Sequence, residues 1–411
     1  MTATMERPEQ AEATPEPMSP EARAAHWAKL TASAAELAAV FEQRSLENYD
    51  KGEFVQRNIN DLVAAGITAV NVPADLGGFD ATLAENVELL RLIAKGCGST
   101  AFTFAIHTII TGSLRGETSP EVKARVFDAV KTGAFVIGPF TDESSGSNWT
   151  VPSTVAQRVD DGFVLQGVKH FATGYPGATH LLITAGLTDE HLRPPFNLAA
   201  FLVEAGAPGL GVHREWDGMA MPMTGSHSLA IDSLHVDGDD MLFPEGLTPL
   251  FVMSRQQWGH YCFAAVFLGL AERAYEIAIE RTKGRSNTAV SSLATLPGIQ
   301  FNIGRMRASI ATMKALLTRY ATEHVEPGED LIAFVAETCV PKYFVVNEAE
   351  HVVATAFEVV GGSGISGGTR IGQIWRDVKA GPLVPFTNDV AREFIGKHEL
   401  GLNPIETPRW L

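Results

Sequence analysis

The sequence predicts an α+β fold in which a central β domain is set between two helical domains. Three changes of pattern along the chain predict it. From about Ser19 to Val136 apolar residues recur at helical spacing. From Ile137 to about Phe243 short β-branched and aromatic runs alternate with Gly, Pro and Asp turns. From about Thr248 onward long helical stretches return. At 411 residues the chain is too long for one ordinary domain. The expected division is a disordered tail over 1–20, an N-terminal helical domain over 21–136, a β-barrel or sandwich over 137–245 and a C-terminal four-helix bundle over 246–411.

Each part has its own local reason. The opening PEQAEATPEPMSPEA is rich in Pro and Glu and has no apolar h-region, so it reads as a tail and not as a signal peptide. The clearest N-terminal helix is Thr82 to Lys95. Thr82 and Glu85 have capping-box spacing, and Leu83, Val87, Leu90 and Ala94 form one apolar stripe. The run Val72-Pro73-Ala74-Asp75-Leu76-Gly77-Gly78 breaks the helices before it. Strands are expected at Thr154 to Val159 and Gly162 to Leu165, joined by the turn Asp160-Asp161-Gly162, and again at His180 to Ala185, Leu198 to Val203 and Ser228 to Val236. In the last third Phe263, Val266, Phe267 and Leu270 repeat at helical spacing, as do Phe301, Met306, Ile310 and Met313. Both look like inner helices of a bundle.

The most informative stretch is Phe140 to Gly174. It opens with small hydroxylated and acidic residues, Thr141-Asp142-Glu143-Ser144-Ser145-Gly146-Ser147-Asn148, which offer many donors at little steric cost. It closes on Lys169-His170-Phe171-Ala172-Thr173-Gly174, an aromatic ring beside a hydroxyl. A flat polar ligand wants both, a ring to pack on and a donor for a ring nitrogen.

Composition limits the partners. A net charge of −16 argues against nucleic acid or an anionic membrane, both of which need a basic surface. No run of ~18 apolar residues is present to span a bilayer. Cys97, Cys262 and Cys339 are far apart in apolar contexts, so buried reduced thiols are expected, with no metal site, in a reducing cytoplasmic compartment.

The order of these motifs resembles the acyl-CoA dehydrogenase superfamily of FAD enzymes over roughly residues 25–400. Thr141 to Asn148 resembles its Thr-Glu-Pro-x-x-Gly-Ser-Asp loop, and Lys169 to Gly174 its Lys-x-Trp-Ile-Thr-Asn. Pro73 to Gly78 resembles Pro-x-x-Tyr-Gly-Gly. Gly269-Leu270-Ala271 leading to Arg281 resembles a Gly-x-Ala helix that ends in an arginine. Gly361-Gly362-Ser363-Gly364 and Arg376-Asp377 resemble the Gly-Gly-x-Gly and Arg-Asp elements near the family's C-terminus.

The resemblance implies a fold like that of the acyl-CoA dehydrogenases and an FAD cofactor, with FMN as the alternative. It implies that Phe140, Thr141 and Ser147 lie at the flavin, that Phe171 packs on the ring and that Thr173 donates to its N5 side. Arg281 would reach the pyrophosphate, where a guanidinium suits two phosphate oxygens. Glu358, Gly361, Gly362 and Thr387 would also line the cofactor, the glycines by approaching the FAD of a partner subunit. Ser147, Arg255, Gly259, His260 and Pro385 would lie along the substrate. The family forms a dimer of dimers, which implies a homotetramer, and passes electrons to an electron-transfer flavoprotein or takes them from a flavin reductase.

Departures from the pattern bear on the reaction. Asn148 replaces an Asp, Glu358 and Pro297 stand where Gln residues touch FAD, and Gly284 where a Phe follows the arginine. Dehydrogenation beside a thioester carbonyl needs a carboxylate to take the α-proton. The two family positions for it fall on Pro385 and Gly259, which cannot take a proton, and the arginine after the second falls on His260. Asp389, four residues past Pro385, is either a displaced base or a helix-start charge.

Three readings follow. The first is dehydrogenation of an acyl thioester with a non-standard base. The second is a reduced-flavin-dependent monooxygenase on the same fold. For this reading Phe263 to Ala271 and Lys169-His170-Phe171 resemble the dibenzothiophene-monooxygenase branch, and His107 is a candidate proton donor or else a satisfied structural histidine. The third is a redox-neutral or purely binding flavoprotein.

Overall fold

A computed structural model of the chain describes residues 18–116, 120–143, 151–284, 286 and 292–405. Five helices come first: α1 (Pro20–Asn48), α2 (Gln56–Ala64), α3 (Leu83–Gly96), α4 (Gly98–Ser113) and α5 (Pro120–Lys131). Ser19 caps α1 by accepting the Ala22 N–H at 3.2 Å, just ahead of Pro20, which needs no donor there. The capping box read at α3 is present: Thr82 Oγ1 accepts the Glu85 N–H at 3.2 Å, and the Thr82 N–H donates back to Glu85 at 2.7 Å. Its stripe of Leu83, Val87, Leu90 and Ala94 is buried.

The β domain follows as β1 (Val136–Ile137), β2 (Thr141–Asp142), β3 (Val155–Val159), β4 (Gly162–Ala172), β5 (His180–Leu187), β6 (Leu198–Glu204), β7 (Leu210–Arg214) and β8 (His227–Asp237). They form one sheet in the order β1-β5-β3-β4-β8-β7, with β2 on β4 and β6 on β5. β3 and β4 are the expected hairpin, antiparallel from Val155↔Gln166 to Val159↔Gly162. β4 runs seven residues past the expected end at Leu165, and this carries Lys169, His170 and Phe171 on a strand. β7 was not expected; its Leu-Gly-Val-His-Arg sequence is too mixed to stand out.

Six helices complete the chain: α6 (Thr248–Ser254), α7 (Gln256–Lys283), α8 (Pro297–Glu323), α9 (Leu331–Val360), α10 (Arg370–Val378) and α11 (Asn388–Glu399). α7 is buried without interruption from His260 to Glu272, as an inner helix should be. A Cβ at Gly269 would lie 2.3 Å from the Arg91 carbonyl oxygen, so glycine is what lets α3 and α7 cross this closely. α8 departs from expectation. Met306, Ile310 and Met313 are buried, but Phe301 is 75% exposed and most of the helix faces outward. It is an outer helix with one narrow apolar stripe.

Asp377 ties the three parts together. It is buried on α10, and its Oδ1 accepts the Tyr49 hydroxyl at 2.5 Å and the Met221 N–H at 2.8 Å, the first following α1 and the second preceding β8. Burial pushes its carboxyl up to about 6, and these two donors, with Arg370 and Arg376, oppose the rise.

Candidate functional site

The site is built on a bulge. The pairing of β4 with β8 slips between Lys169 and Ala172, and there Phe171 adopts φ 55°. A left-handed conformation costs a phenylalanine on the order of 1–3 kcal/mol and turns its side chain out of the strand's alternation. The result is a ring 56% exposed, edge-on to Trp216 at 6.0 Å between centroids. Beneath it β2 pairs with β4, Thr141 opposite His170 and Asp142 opposite Lys169. Lys169 and Asp142 are both buried and form an ion pair at 2.9 Å, with Lys169 also donating to Thr184 Oγ1 at 3.2 Å. This pair pins the start of the hydroxyl-rich loop to the strand that carries Phe171. Ser147, together with Ser144 to Thr150, lies outside the described residues.

Thr173 is next to this ring, but its hydroxyl is committed. Thr224 Oγ1 donates to the Met221 carbonyl at 2.9 Å, so the 2.7 Å bond from Ser226 to Thr224 and the 2.8 Å bond between Thr173 and Ser226 are satisfied when Thr173 is the donor. Its N–H donates to the Phe171 carbonyl at 2.7 Å. Donation to a ring nitrogen would require the Thr173 hydroxyl to leave Ser226.

The floor is α4. Gly174 meets Thr103 of α4, where a Cβ would be 3.1 Å from its methyl, and Phe102 stacks on Phe263 of α7 at 5.2 Å. Phe102, Ile106 and Ile109 form a half-buried apolar stripe at spacings of four and three. One turn before Phe263 is Gly259, where an added Cβ would have nothing within 4 Å. His260 is buried beside it, 5.1 Å from the Phe386 ring in an edge-on arrangement. Thus His260 faces Phe386, the chain neighbour of Pro385, and Pro385 is exposed. Thr338 donates its hydroxyl to the Val335 carbonyl at 2.8 Å and so accepts from His260 Nδ1–H at 3.0 Å. His260 Nε2 meets no partner among the described residues. Burial, and then the nearby Lys342 charge, push its imidazole down to about 3.

A second group gathers at the other end of α7. Arg281 is exposed and donates to Ser363 Oγ at 2.9 Å, which places it on the loop of Gly361 and Gly362. Gly361 has φ 75°, open to glycine without strain, and an added Cβ would meet nothing within 4 Å at either glycine. Glu358 is exposed one turn earlier on α9. Gly259 and Arg281 are 22 positions apart on one helix, about 33 Å at 1.5 Å per residue.

Several expected residues are placed elsewhere. His107 is fully buried, stacked on Phe135 at 4.7 Å. The Val136 N–H donates to its Nδ1 at 3.0 Å, so Nε2–H donates to the Thr68 carbonyl at 2.8 Å. Burial pushes its imidazole down to about 4, and with both nitrogens on backbone groups it links α4 to β1. Asp389 is an exposed first-turn charge on α11 in an ion pair with Arg392, so it is the helix-start residue and not a displaced base. Thr387 caps α11 by accepting the Val390 N–H at 3.4 Å. Phe140 packs toward Ile110 and the cluster around α5. Arg255 pairs with Glu326 at 3.3 Å on the wall of a groove of about 620 Å³ shared with Arg115, Trp258 and Thr322. Two residues at the site lie outside every sequence motif: Trp216 beside Phe171, and Lys342, a lone cation in the apolar run around Cys339.

Comparison with known proteins agrees with this layout. Models of the acyl-CoA dehydrogenase N-terminal, middle and C-terminal domains match residues 28–134, 139–234 and 261–387. The cyclohex-1-ene-1-carbonyl-CoA dehydrogenase of Geobacter metallireducens is 26% identical over 361 residues, 86% of this chain and 92% of that protein. The dibenzothiophene monooxygenase of Rhodococcus qingshengii is 26% identical over 367 residues, 84% and 87% of the two chains. Among solved structures, butyryl-CoA dehydrogenase from Megasphaera elsdenii superposes with a TM-score of 0.82 at 23% identity, covering 90% of this chain and 98% of that one. FMN-bound TdsC from Paenibacillus sp. A11-2 also reaches 0.82, at 20% identity, covering 90% and 97%. At such identities the superpositions speak for the fold.

Proposed function

The chain belongs to the acyl-CoA dehydrogenase family, whose three domain models it matches in order, and from that premise we propose that it is a flavin-dependent oxidoreductase working by oxygenation with reduced flavin. The observation that carries the choice of reaction is the wall formed by Gly259, His260, Pro385 and Phe386. Counted from the family motifs, the two base positions fall on Pro385 and Gly259, neither of them a carboxylate, and Asp389 pairs with Arg392. Oxygenation needs no α-proton base.

The residues present fit a flavin. Phe171 offers an exposed flat face, Thr141 stands half-buried beside it, and Arg281 with the Gly361 loop offers a cation and open backbone for a pyrophosphate. Such a group supplies two-electron chemistry, taking a hydride when oxidised and activating oxygen when reduced. The chain's own residues would hold its ring against Phe171, keep water off it with the Phe102, Ile106 and Phe263 surfaces, and confine the substrate between α4 and the Gly259–Pro385 wall. The apolar lining suits a small, largely apolar substrate. FAD is the expected form, because the Arg281 cluster has a use only if a pyrophosphate is present; FMN is the alternative.

At about 33 Å along α7, Arg281 is too far from Gly259 to serve the same ring and pyrophosphate. The reading is therefore of a homo-oligomer in which one subunit's Arg281 and Gly361 serve the flavin held by another subunit. Electrons would come from a separate flavin reductase.

Dehydrogenation of an acyl thioester, with electrons passing to an electron-transfer flavoprotein, is the second reading. Identity to the acyl-CoA dehydrogenase relative equals that to the monooxygenase and leaves this reading standing. One experiment separates the two. Oxidised holoprotein is mixed anaerobically with a panel of acyl-CoA thioesters and its flavin absorbance followed. Oxygenation predicts no bleaching by any of them, and turnover of a sulfur- or nitrogen-containing aromatic probe once reduced flavin and oxygen are supplied. Rapid bleaching by any thioester sinks that reading.

A further inference from the structure

Lys342 is a buried cation with no carboxylate among its hydrogen-bond partners. It lies on α9 just after Pro341 and is 0% exposed. Its Nζ donates to the Phe386 carbonyl oxygen at 2.6 Å and to Asn388 Oδ1 at 3.2 Å. Asn388 is held in turn: its amide donates to Asn347 Oδ1 at 3.1 Å, and the Asn347 amide donates to the Tyr343 carbonyl at 2.7 Å. Around this network are Met253, Val335, Cys339, Phe386, Val390 and Phe394, an apolar cluster. An ammonium in such surroundings is expensive to bury, and methionine would fill the same space without that cost. What the cation provides is a grip on residues 384–388, the segment that brings Pro385 to the wall and sets Phe386 against His260.

We propose that Lys342 is the positioning residue of the site: its ammonium clamps the Phe386 carbonyl and the Asn388 side chain, and so fixes where Pro385 and Thr387 stand relative to Gly259 and His260. The clamp is sensitive to pH. Burial pushes Lys342 down to about 7, so its proton leaves near neutrality. His260 and Cys339, which face it, are shifted away from neutrality. His260 on α7 is pushed down to about 3, chiefly by burial and further by Lys342 itself, and burial pushes the Cys339 thiol on α9 up to about 12. On α11, Asp389 and Glu393 are paired with Arg392 and Lys397. Below pH 7 the two bonds are charge-assisted; above it they are ordinary amine bonds and weaker. The segment is held tightly on the acid side of neutrality and loosened on the alkaline side.

The position of the clamp follows from contacts within the chain; its consequence for cofactor binding rests on the flavin reading. Amide hydrogen exchange of the peptide covering 382–390 tests the first directly, in the full-length protein and with exchange corrected for the intrinsic effect of pH. Protection there should fall about tenfold in wild type between pH 6 and pH 8.5 and be lost at both values in Lys342→Met, while peptides of α4 and β4 are unchanged. Lys342→Arg, which keeps its charge throughout, should restore protection and remove its pH dependence. If Lys342→Met reduces stability everywhere, Asn388→Ala removes one arm of the clamp and should give a partial loss confined to 382–390. Equal protection in wild type and both Lys342 variants overturns the clamp. In parallel, FAD is titrated into the same proteins, and a three- to tenfold weaker Kd should follow each loss of protection. Failure of FAD to bind any of them overturns the flavin reading, while the exchange result still decides the clamp.

Discussion

The two ends of α7 are built by opposite means. At its start, Gly259 opens on space, His260 is buried neutral, and the facing residues are Pro385 and Phe386. At its end, Arg281 stands in solvent on a glycine loop, with Glu280 and Lys283 exposed around it. The first end buries its nearby charge, Lys342, against the Phe386 carbonyl, and the second carries its charge in solvent. Burial explains the difference. In the dry interior a charged group either finds a partner or loses its charge, whereas at the surface a guanidinium keeps its charge at little cost. The inner end can therefore shape and exclude, but it can move a proton only through a group whose pKa is set by its surroundings. On the proposed reading the outer end serves a phosphate and stands too far away to take part in chemistry at the ring.

The strongest way to break this contrast is to put a carboxylate at the inner end. Gly259→Glu introduces a carboxylate at a helical position where the Cβ has room, and the change also removes a helix-interior glycine worth roughly 0.5–1 kcal/mol. A placed general base is worth about 10²–10⁴ in rate. Anaerobic bleaching of the bound flavin by butyryl-CoA should therefore rise at least about a hundredfold over wild type. If wild type already bleaches as fast as the variant, the inner end has a base elsewhere and the comparison fails.

The outer end is tested by discriminating between cofactors. Charge-assisted hydrogen bonds contribute about 1.5–3 kcal/mol each, so Arg281→Ala should weaken FAD binding about ten- to a hundredfold. FMN has no pyrophosphate and should bind the variant as it binds wild type. The loss should also depend on assembly, appearing only at protein concentrations where the oligomer forms. Equal losses for FAD and FMN, read by flavin fluorescence titration, would mean that Arg281 acts through the fold.

Much of the fold could be read in the sequence, because each domain buries a repeating pattern. The capping box of Thr82 and Glu85 and the apolar face of α7 depend on spacing alone. Phe301 misled because a single chain can leave an apolar helix face uncovered, and periodicity does not say what covers it. The site was legible only in part. Phe171 was identified through the resemblance, but the left-handed turn that exposes it depends on the slip between β4 and β8, and no local pattern encodes that. His107 and Asp389 are residue types able to carry protons. Whether they can depends on their partners, and the backbone claims both nitrogens of His107. Lys342 could have been noticed as a lone cation in an apolar run, yet its target, the Phe386 carbonyl, is 44 residues away.

The smallest effect expected concerns acid. His260 titrates at about 6.5 in an unfolded chain and is pushed down to about 3 in the fold, mainly by burial. Between these values the unfolded chain holds a proton that the folded one does not, so stability is full above 6.5 and falls as pH drops toward 3. At about 1.4 kcal/mol per pH unit the loss at pH 5 is about 2 kcal/mol. His260→Phe keeps a ring against Phe386 and removes the titration. It should match wild type within about 1 kcal/mol at pH 7.5 and be more stable than wild type by about 2 kcal/mol at pH 5, by urea denaturation. His107 contributes a similar acid loss in both proteins and cancels in the difference. Arg281→Ala, at the charged and solvated end, should show no such pH-dependent gain. If His260→Phe gains nothing on acidification, the inner end of α7 is wetter than its burial indicates, and the two ends differ in shape but not in their tolerance of charge.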